Sequence, residues 1–200
     1  MKKINEIFYS LQGEGYNTGR PALFIRFSVC NLRCSFCDTD FSHYEEMQDA
    51  DIVKRALDIV NAKKAEGQSN GTTMPMIVLT GGEPSLQADA HLIDALHAAG
   101  FTFIAMESNG THEPPQGIDW LTISPKEHTI VKHCSELKVL FDDVQPVSTH
   151  GISADHYFLQ PLDTGDAAKN KTILTHCFNY LLEHPQWRMS LQTHKLMGIR

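Results

Sequence analysis

At 200 residues the chain is long enough for one compact domain that buries roughly 70% of the surface its unfolded form exposes, so size alone calls for no disulfide or zinc staple. Hydrophobic residues at 42% and charged residues at 20% exclude a disordered, collagenous or coiled-coil chain. Seventeen Lys and Arg against twenty-four Asp and Glu leave a net charge of −7, which opposes binding to a polyphosphate backbone, and nucleic acid is not an expected partner.

The amino terminus carries Lys2 and Lys3 with no apolar stretch behind them, and the best apolar run, residues 22–27, is short and broken by Arg26. Neither a leader nor a membrane span is expected, and the chain reads as cytoplasmic. Strand-like runs follow at 22–27, 76–79, 102–106, 120–123, 137–141, 156–159 and 188–191. They read as blunt apolar runs, as strands covered on both faces do. Three segments have helical period: Ile52, Val53, Ala56, Leu57 and Val60 behind a cap at Asp49 or Asp51; Leu92, Ile93 and Leu96, stopped by Gly100; and Ile173, Leu174, Cys177, Leu181 and Leu182, stopped by Pro185. No repeat or linker divides the chain, so residues 1–200 read as a single domain.

The strand ends are more informative than the strands. Five of them run into hydrogen-bonding residues: Thr80-Gly81-Gly82-Glu83-Pro84, Glu107-Ser108-Asn109-Gly110-Thr111, Ser124-Pro125-Lys126, Gln160-Pro161 and Gln192-Thr193-His194. In a parallel barrel the carboxyl ends of the strands open on one face, and that face holds the site. Three helices for six or seven strands fall short of the ~250 residues of an eight-fold barrel. The expectation is a partial, open α/β barrel with about six parallel strands and few helices.

Five cysteines are present, three of them within Cys30-Asn31-Leu32-Arg33-Cys34-Ser35-Phe36-Cys37. In a reducing compartment such a cluster points to metal. Three thiolates spaced Cys-x3-Cys-x2-Cys can hold three irons of a 4Fe-4S cluster and leave the fourth open for a ligand. The alternative is a structural zinc completed by Asp38, Asp40 or His43. Cys134 and Cys177 read as inert, Cys177 on the apolar face of a helix.

With Gly81-Gly82-Glu83-Pro84 downstream of a predicted strand, the cysteine run resembles the radical S-adenosylmethionine superfamily. The resemblance implies a cluster on Cys30, Cys34 and Cys37 whose open iron chelates S-adenosylmethionine, with the Gly-Gly-Glu-Pro segment at the amino group of that ligand. Leu11-Gln12-Gly13-Glu14-Gly15, Phe24-Ile25-Arg26, Cys37-Asp38-Thr39, Glu107-Ser108-Asn109-Gly110-Thr111, Ser124-Pro125-Lys126 and Gln192-Thr193-His194-Lys195 further resemble the 7-carboxy-7-deazaguanine synthase family of queuosine and 7-deazapurine biosynthesis. That implies ring contraction of 6-carboxytetrahydropterin with loss of ammonia, begun by a 5′-deoxyadenosyl radical, in a homodimer reduced by a donor such as flavodoxin.

By that resemblance Leu11, Gln12, Gly13, Arg26 and Thr80 hold the pterin, Gly82, Ser124, Pro125 and Lys126 hold S-adenosylmethionine, and Thr39 holds Mg²⁺. Arg26 also has a physical warrant: an arginine inside an apolar run is costly to bury unpaired, and its planar fork suits a carboxylate. An internal ion pair to a carboxylate such as Glu14 or Glu107 is the alternative. Mg²⁺ takes oxygen ligands and keeps several waters, so Asp38 and Asp40 compete with Thr39, or cap the turn. Glu107, Gln160, Gln192 and His194 are ring-contact candidates by their place at strand ends, although a structural hydrogen bond is the commoner role for His194. Two other functions stand beside this one: a glycyl-radical activating enzyme with a protein substrate, and a zinc-stapled binding module without catalysis.

Overall fold

The computed structural model describes residues 1–37, 40–67, 73–126 and 128–199. Among the described residues nine strands form one sheet: β1 (Lys2–Leu11), β2 (Pro21–Phe27), β3 (Glu45–Met47), β4 (Met76–Gly81), β5 (Ile104–Ser108), β6 (Trp120–Ile123), β7 (His133–Phe141), β8 (Ser153–Pro161) and β9 (Arg188–Met189), in the order β3-β1-β2-β4-β5-β6-β7-β8-β9. From β2 to β9 neighbouring strands are parallel, while β1 and β3 extend one edge antiparallel. The helices are α1 (Asp49–Ala65), α2 (Ala90–Ala98), α3 (Ala167–Glu183) and the short α4 (Thr193–Met197). The expected open, mostly parallel barrel is therefore present, and it does not close.

The expected strands are found, most of them longer than the apolar runs that announce them. The β1 and β3 edge and α4 are additions, and at α1 the cap is Gln48, whose amide reaches the Asp51 carboxylate at N3 (3.4 Å). Asp49 instead pairs with Lys2 and His91.

One expectation is corrected: these strands are not apolar on both faces. Side chains alternate across a strand, and α1, α2 and α3 cover one face only. Leu23, Ile25 and Phe27 of β2, Ile77 and Leu79 of β4, and Ile104 and Met106 of β5 pack under Ile52, Ala56 and Val60 of α1 and Leu92, Ile93 and Leu96 of α2. Leu137, Val139 and Phe141 of β7 and Leu159 of β8 pack under Ile173 and Cys177 of α3. The alternate residues, Arg26, Thr80, Glu107, Lys138 and Gln160, must then face the concave side. Register brings Arg26 opposite Thr80 and Leu140 opposite Gln160. Small and aromatic residues, Ala22, Met76, Val78 and Ala105 with Phe24, Phe103 and Trp120, fill the same face nearer the strand starts. Among the described residues no helix is long and apolar enough to cross a membrane.

The segment between β1 and β2 crosses the concave side. Thr193 donates its amide and hydroxyl to the Gly13 carbonyl (both 2.9 Å), and Gly15 N–H donates to Ser190 Oγ (2.9 Å). The two ends of the open sheet are thus bridged by a strap of chain.

Leu96 is fully buried between α2 and the sheet. Leu96→Ala should cost about 2–5 kcal/mol of stability in denaturant unfolding, with iron binding unchanged at low temperature, because the helix lies on the side away from the cysteines.

Candidate active site

A concave cavity of about 360 Å³ opens on the carboxyl ends of the strands, within the usual size for a small-molecule site. All five polar strand ends reach it: Thr80, Gly81 and Gly82; Glu107, Ser108 and Asn109; Ser124 and Lys126; Gln160 and Pro161; Gln192 and His194. Leu11, Gln12, Gly13 and Arg26 line it as well, with Cys30, Cys34 and Cys37 at the other end. Of the residues expected at the site, Pro125 is buried outside the lining, since its neighbours Ser124 and Lys126 take the cavity side. Thr39 and Asp38 lie outside the described residues.

The cysteine loop is pinned by glycines. Gly82 N–H donates to the Phe27 carbonyl (2.8 Å) and Glu83 N–H to the Val29 carbonyl (3.0 Å). A Cβ on Gly82 would stand 2.0 Å from that Val29 oxygen, and Gly81 has φ +105. Only glycines permit this approach. Val29, a β-branched residue at φ +81, is held in a left-handed conformation that costs of order 1–3 kcal/mol, and it immediately precedes Cys30. The strain aims the first cysteine into the cavity.

The Glu83 carboxylate does not face that cavity. It is fully buried, with Oε1 accepting from Ser85 N–H and Oγ (3.1 and 2.7 Å) and from Ser108 Oγ (2.8 Å), and Oε2 accepting from Asn109 N–H (2.7 Å). Its task is to tie the end of β4 to the end of β5. What Gly-Gly-Glu-Pro offers a ligand is backbone, and the carboxylate is already taken.

Three cysteine sulfurs lining one end of the cavity can hold three irons of a 4Fe-4S cluster and leave the fourth open toward the cavity. Leu32 N–H points at Cys30 Sγ (3.5 Å), and Asn109 Nδ2 lies 3.9 Å from it, as donors to a thiolate should. Cys134 and Cys177 are buried away from the cavity, and burial pushes their thiols up to about 12 and about 11, which leaves them unreactive.

At the opposite end lies a charged network that strand-end reasoning only partly anticipated. The Lys138 ammonium, buried on the inner face of β7, donates to Glu14 Oε2 (2.6 Å) and Glu107 Oε2 (2.9 Å). Gln192 Nε2 donates to Glu14 Oε1 (2.9 Å) and Gln12 Nε2 to Glu107 Oε1 (3.2 Å). Burial would raise the Glu14 carboxyl, but Lys138 and these hydrogen bonds bring it down to about 2. For Lys138 burial works against charge, and the surrounding carboxylates outweigh it and raise the ammonium. The signal for Lys138 is present in the chain: it is a lone cation in Leu137-Lys138-Val139-Leu140-Phe141, the same anomaly that marks Arg26.

Arg26 pairs with neither Glu14 nor Glu107, because Lys138 holds both. Its Nε lies 3.0 Å from Glu6 Oε1 on the neighbouring strand, yet the buried N–H is not directed at an acceptor and makes no hydrogen bond. Its guanidinium stands 5.7 Å over the Phe8 ring, beside the cavity. For His194 the expected structural hydrogen bond is not found: its side chain has no such partner among the described residues, and the ring lines the cavity against Gly13.

Two outcomes are expected. Gly82→Ala should displace the cysteine loop and lower the iron bound after anaerobic reconstitution at least about threefold, because its Cβ meets main chain rather than a side chain that can swing away. Lys138→Met should cost about 3–5 kcal/mol in unfolding at neutral pH, since it strands two buried carboxylates. That loss should shrink as pH falls from the unfolded Glu value of 4.5 toward about 2, the window in which a lowered carboxyl surrenders its stabilisation.

Comparison with known proteins adds three findings. Residues 24–123 match the family model described as the radical SAM superfamily. Over their whole lengths the chain is 45% identical to a 7-carboxy-7-deazaguanine synthase of Bacteroides thetaiotaomicron, and over 98% of each chain it is 42% identical to the protein of the same name in Bordetella pertussis. The crystal structure of QueE from Escherichia coli superimposes with a TM-score of 0.65 at 25% identity, covering 95% of this chain and 93% of that one.

Proposed function

Because the chain belongs to the 7-carboxy-7-deazaguanine synthase family of radical S-adenosylmethionine enzymes, we propose that its cavity converts 6-carboxytetrahydropterin to 7-carboxy-7-deazaguanine with release of ammonia. The observation that carries this reading is the convergence of three cysteines, a glycine-pinned loop and a buried charged network on one cavity. The glycyl-radical activating alternative calls for a protein substrate, which a cavity of this size, floored by buried charges, does not suit. The zinc-stapled alternative gives no account of the cavity beside the cysteines or of the family to which the chain belongs.

Cys30, Cys34 and Cys37 would hold a 4Fe-4S cluster, and S-adenosylmethionine would lie between it and the main chain of Gly81 and Gly82, with Ser124 and Lys126 along the same wall. When bound, the cluster and S-adenosylmethionine supply the 5′-deoxyadenosyl radical that takes hydrogen from the pterin C6 position. Everything else falls to the chain. Arg26, ion-paired through Nε to Glu6, offers the remainder of its fork to the substrate carboxylate, with the Thr80 hydroxyl beside it in register. At the far end Lys138 keeps Glu14 ionised, and Glu14 and Glu107 retain acceptor capacity for ring N–H groups. The Gln12-Gly13 strap forms the floor.

Mg²⁺ held by Thr39 with oxygens of the substrate completes the reading and rests on resemblance, as does assembly into a homodimer of single-domain chains. Exposure of Cys37 at the surface suits electron delivery by a protein donor such as a flavodoxin, and a cluster of three metal-binding cysteines suits a cytoplasmic setting.

Anaerobic incubation with 6-carboxytetrahydropterin, S-adenosylmethionine and dithionite should yield a product with the mass of 7-carboxy-7-deazaguanine; absence of that mass from iron-replete protein overturns the proposal. Arg26→Ala should lose about 2–5 kcal/mol of pterin binding while slow cleavage of S-adenosylmethionine persists. Arg26→Lys should rescue poorly, because a point charge lacks the bidentate fork. Loss of both activities together, with a lowered melting temperature, would assign Arg26 to the fold.

A further inference from the structure

Beneath the cavity floor lies a carboxyl that the proposed chemistry leaves unused. Glu136 stands on the inner face of β7 two residues before Lys138 and is 2% exposed. Its Oε2 accepts the Tyr16 amide at 2.9 Å. The Trp120 indole N–H is close to the same carboxyl but not aligned with it, and that buried donor is left without a hydrogen bond. Gly15, at φ +65, makes the contact possible: a Cβ there would stand 1.9 Å from Glu136 Oε1. The turn so gripped follows directly on Gln12, Gly13 and Glu14, which line the cavity, and its Gly15 amide is tied through Ser190 Oγ to Gln160 Oε1.

We propose that Glu136 is a positioning residue for the pterin: through the Tyr16 amide it sets the height of the Gln12-Gly13-Glu14 floor, and through Lys138 it sets how firmly that ammonium is shared with Glu14 and Glu107. The assignment rests on the reading of the cavity as the pterin site. The groups that face Glu136 are Lys138 on its own strand, Glu107 from β5, Trp120 from β6, and Tyr16 from the strap; His156 of β8, opposite it in register, stacks on Tyr16 at 4.3 Å, and Arg188 of β9 lies over the same ring. Burial, aided by Glu107 and opposed by Lys138, pushes the Glu136 carboxyl up to about 7. Its charge therefore changes near neutral pH, whereas the neighbouring Glu14 stays ionised. The effect should reach the pterin alone, since Gly82 and the cysteines lie at the other end of the cavity.

The test compares wild type, Glu136→Gln and Gly15→Ala, all reconstituted anaerobically, by pterin KM and kcat between about pH 6 and pH 8.5, by S-adenosylmethionine cleavage without pterin, and by iron content. In the wild type the pterin KM should change across neutral pH. Glu136→Gln should flatten that dependence and shift KM about fivefold at pH 8, with kcat, cleavage without pterin and iron content within about twofold of wild type. Gly15→Ala, which forces the Glu136 carboxyl aside, should shift pterin KM in the same selective way. A wild-type KM and pH profile in Glu136→Gln, or an unchanged KM in Gly15→Ala, overturns the assignment. So does a loss of iron and cleavage that accompanies the KM change, which would make Glu136 a residue of the fold. Failure of the wild type itself to turn over the pterin is a different result, and it removes the reading of the cavity before any variant is compared.

Discussion

The interaction on which the rest of this structure depends is the burial of the Lys138 ammonium between the carboxylates of Glu14 and Glu107. An isolated ammonium in the interior is prohibitively costly, and it is tolerated only where partners of opposite charge satisfy it. Those partners come from the strap between β1 and β2 and from the end of β5. One cation thereby ties three parts of the chain to one point. The strap cannot leave the concave side without stranding a charge, so the open barrel acquires a floor although its sheet never closes. Gln12 and Gln192 then spend their amides on the outer carboxylate oxygens, and the floor becomes a hydrogen-bonding surface rather than a loop.

A second buried carboxylate organises the opposite end by the same logic with different partners. Glu83 accepts from two serine hydroxyls and two main-chain amides, all neutral donors. It thereby clamps β4 to β5 beneath the strained Val29, and the cysteine loop inherits its direction from that clamp. The site is thus suspended between two sets of acids. Glu14 and Glu107 are charge-paired under the substrate end, and Glu83 is held by hydroxyls and amides under the cluster end. The three long helices α1, α2 and α3 take no direct part, since they lie on the outer face, where burial of apolar side chains supplies the stability that this polar interior consumes.

Much of this was legible in the chain before folding. Three cysteines at short spacing, five polar strand ends and a lone arginine in an apolar run are local signals, and each reports a chemical demand that its immediate neighbours cannot meet. Residues 120–123 are a strand with the expected boundaries, and the three long helices lie where expected, although in α3 only Ile173 and Cys177 of the predicted stripe are buried while Leu174 and Leu182 are exposed on the outer side. Local reading failed at β1, whose charged and polar residues mask a strand paired on both sides, and at Glu83, whose carboxylate suggests ligand contact until its partners at the end of β5 are seen.

What only the tertiary structure decided is which charges meet. Glu14 and Lys138 are 124 positions apart in sequence, and Arg26 takes Glu6 rather than either predicted acid because Lys138 has already taken both. Pairings of that kind depend on strand order, on register and on which face each side chain turns to, and these are set by packing of the apolar residues between. The sequence by itself determined the chemical inventory: thiols for iron, a fork for a carboxylate, glycines for close approach. It could not determine the distribution of that inventory, because an ion pair in the interior is chosen by the fold from among several equally suitable partners, and the choice follows from geometry accumulated over the whole sheet.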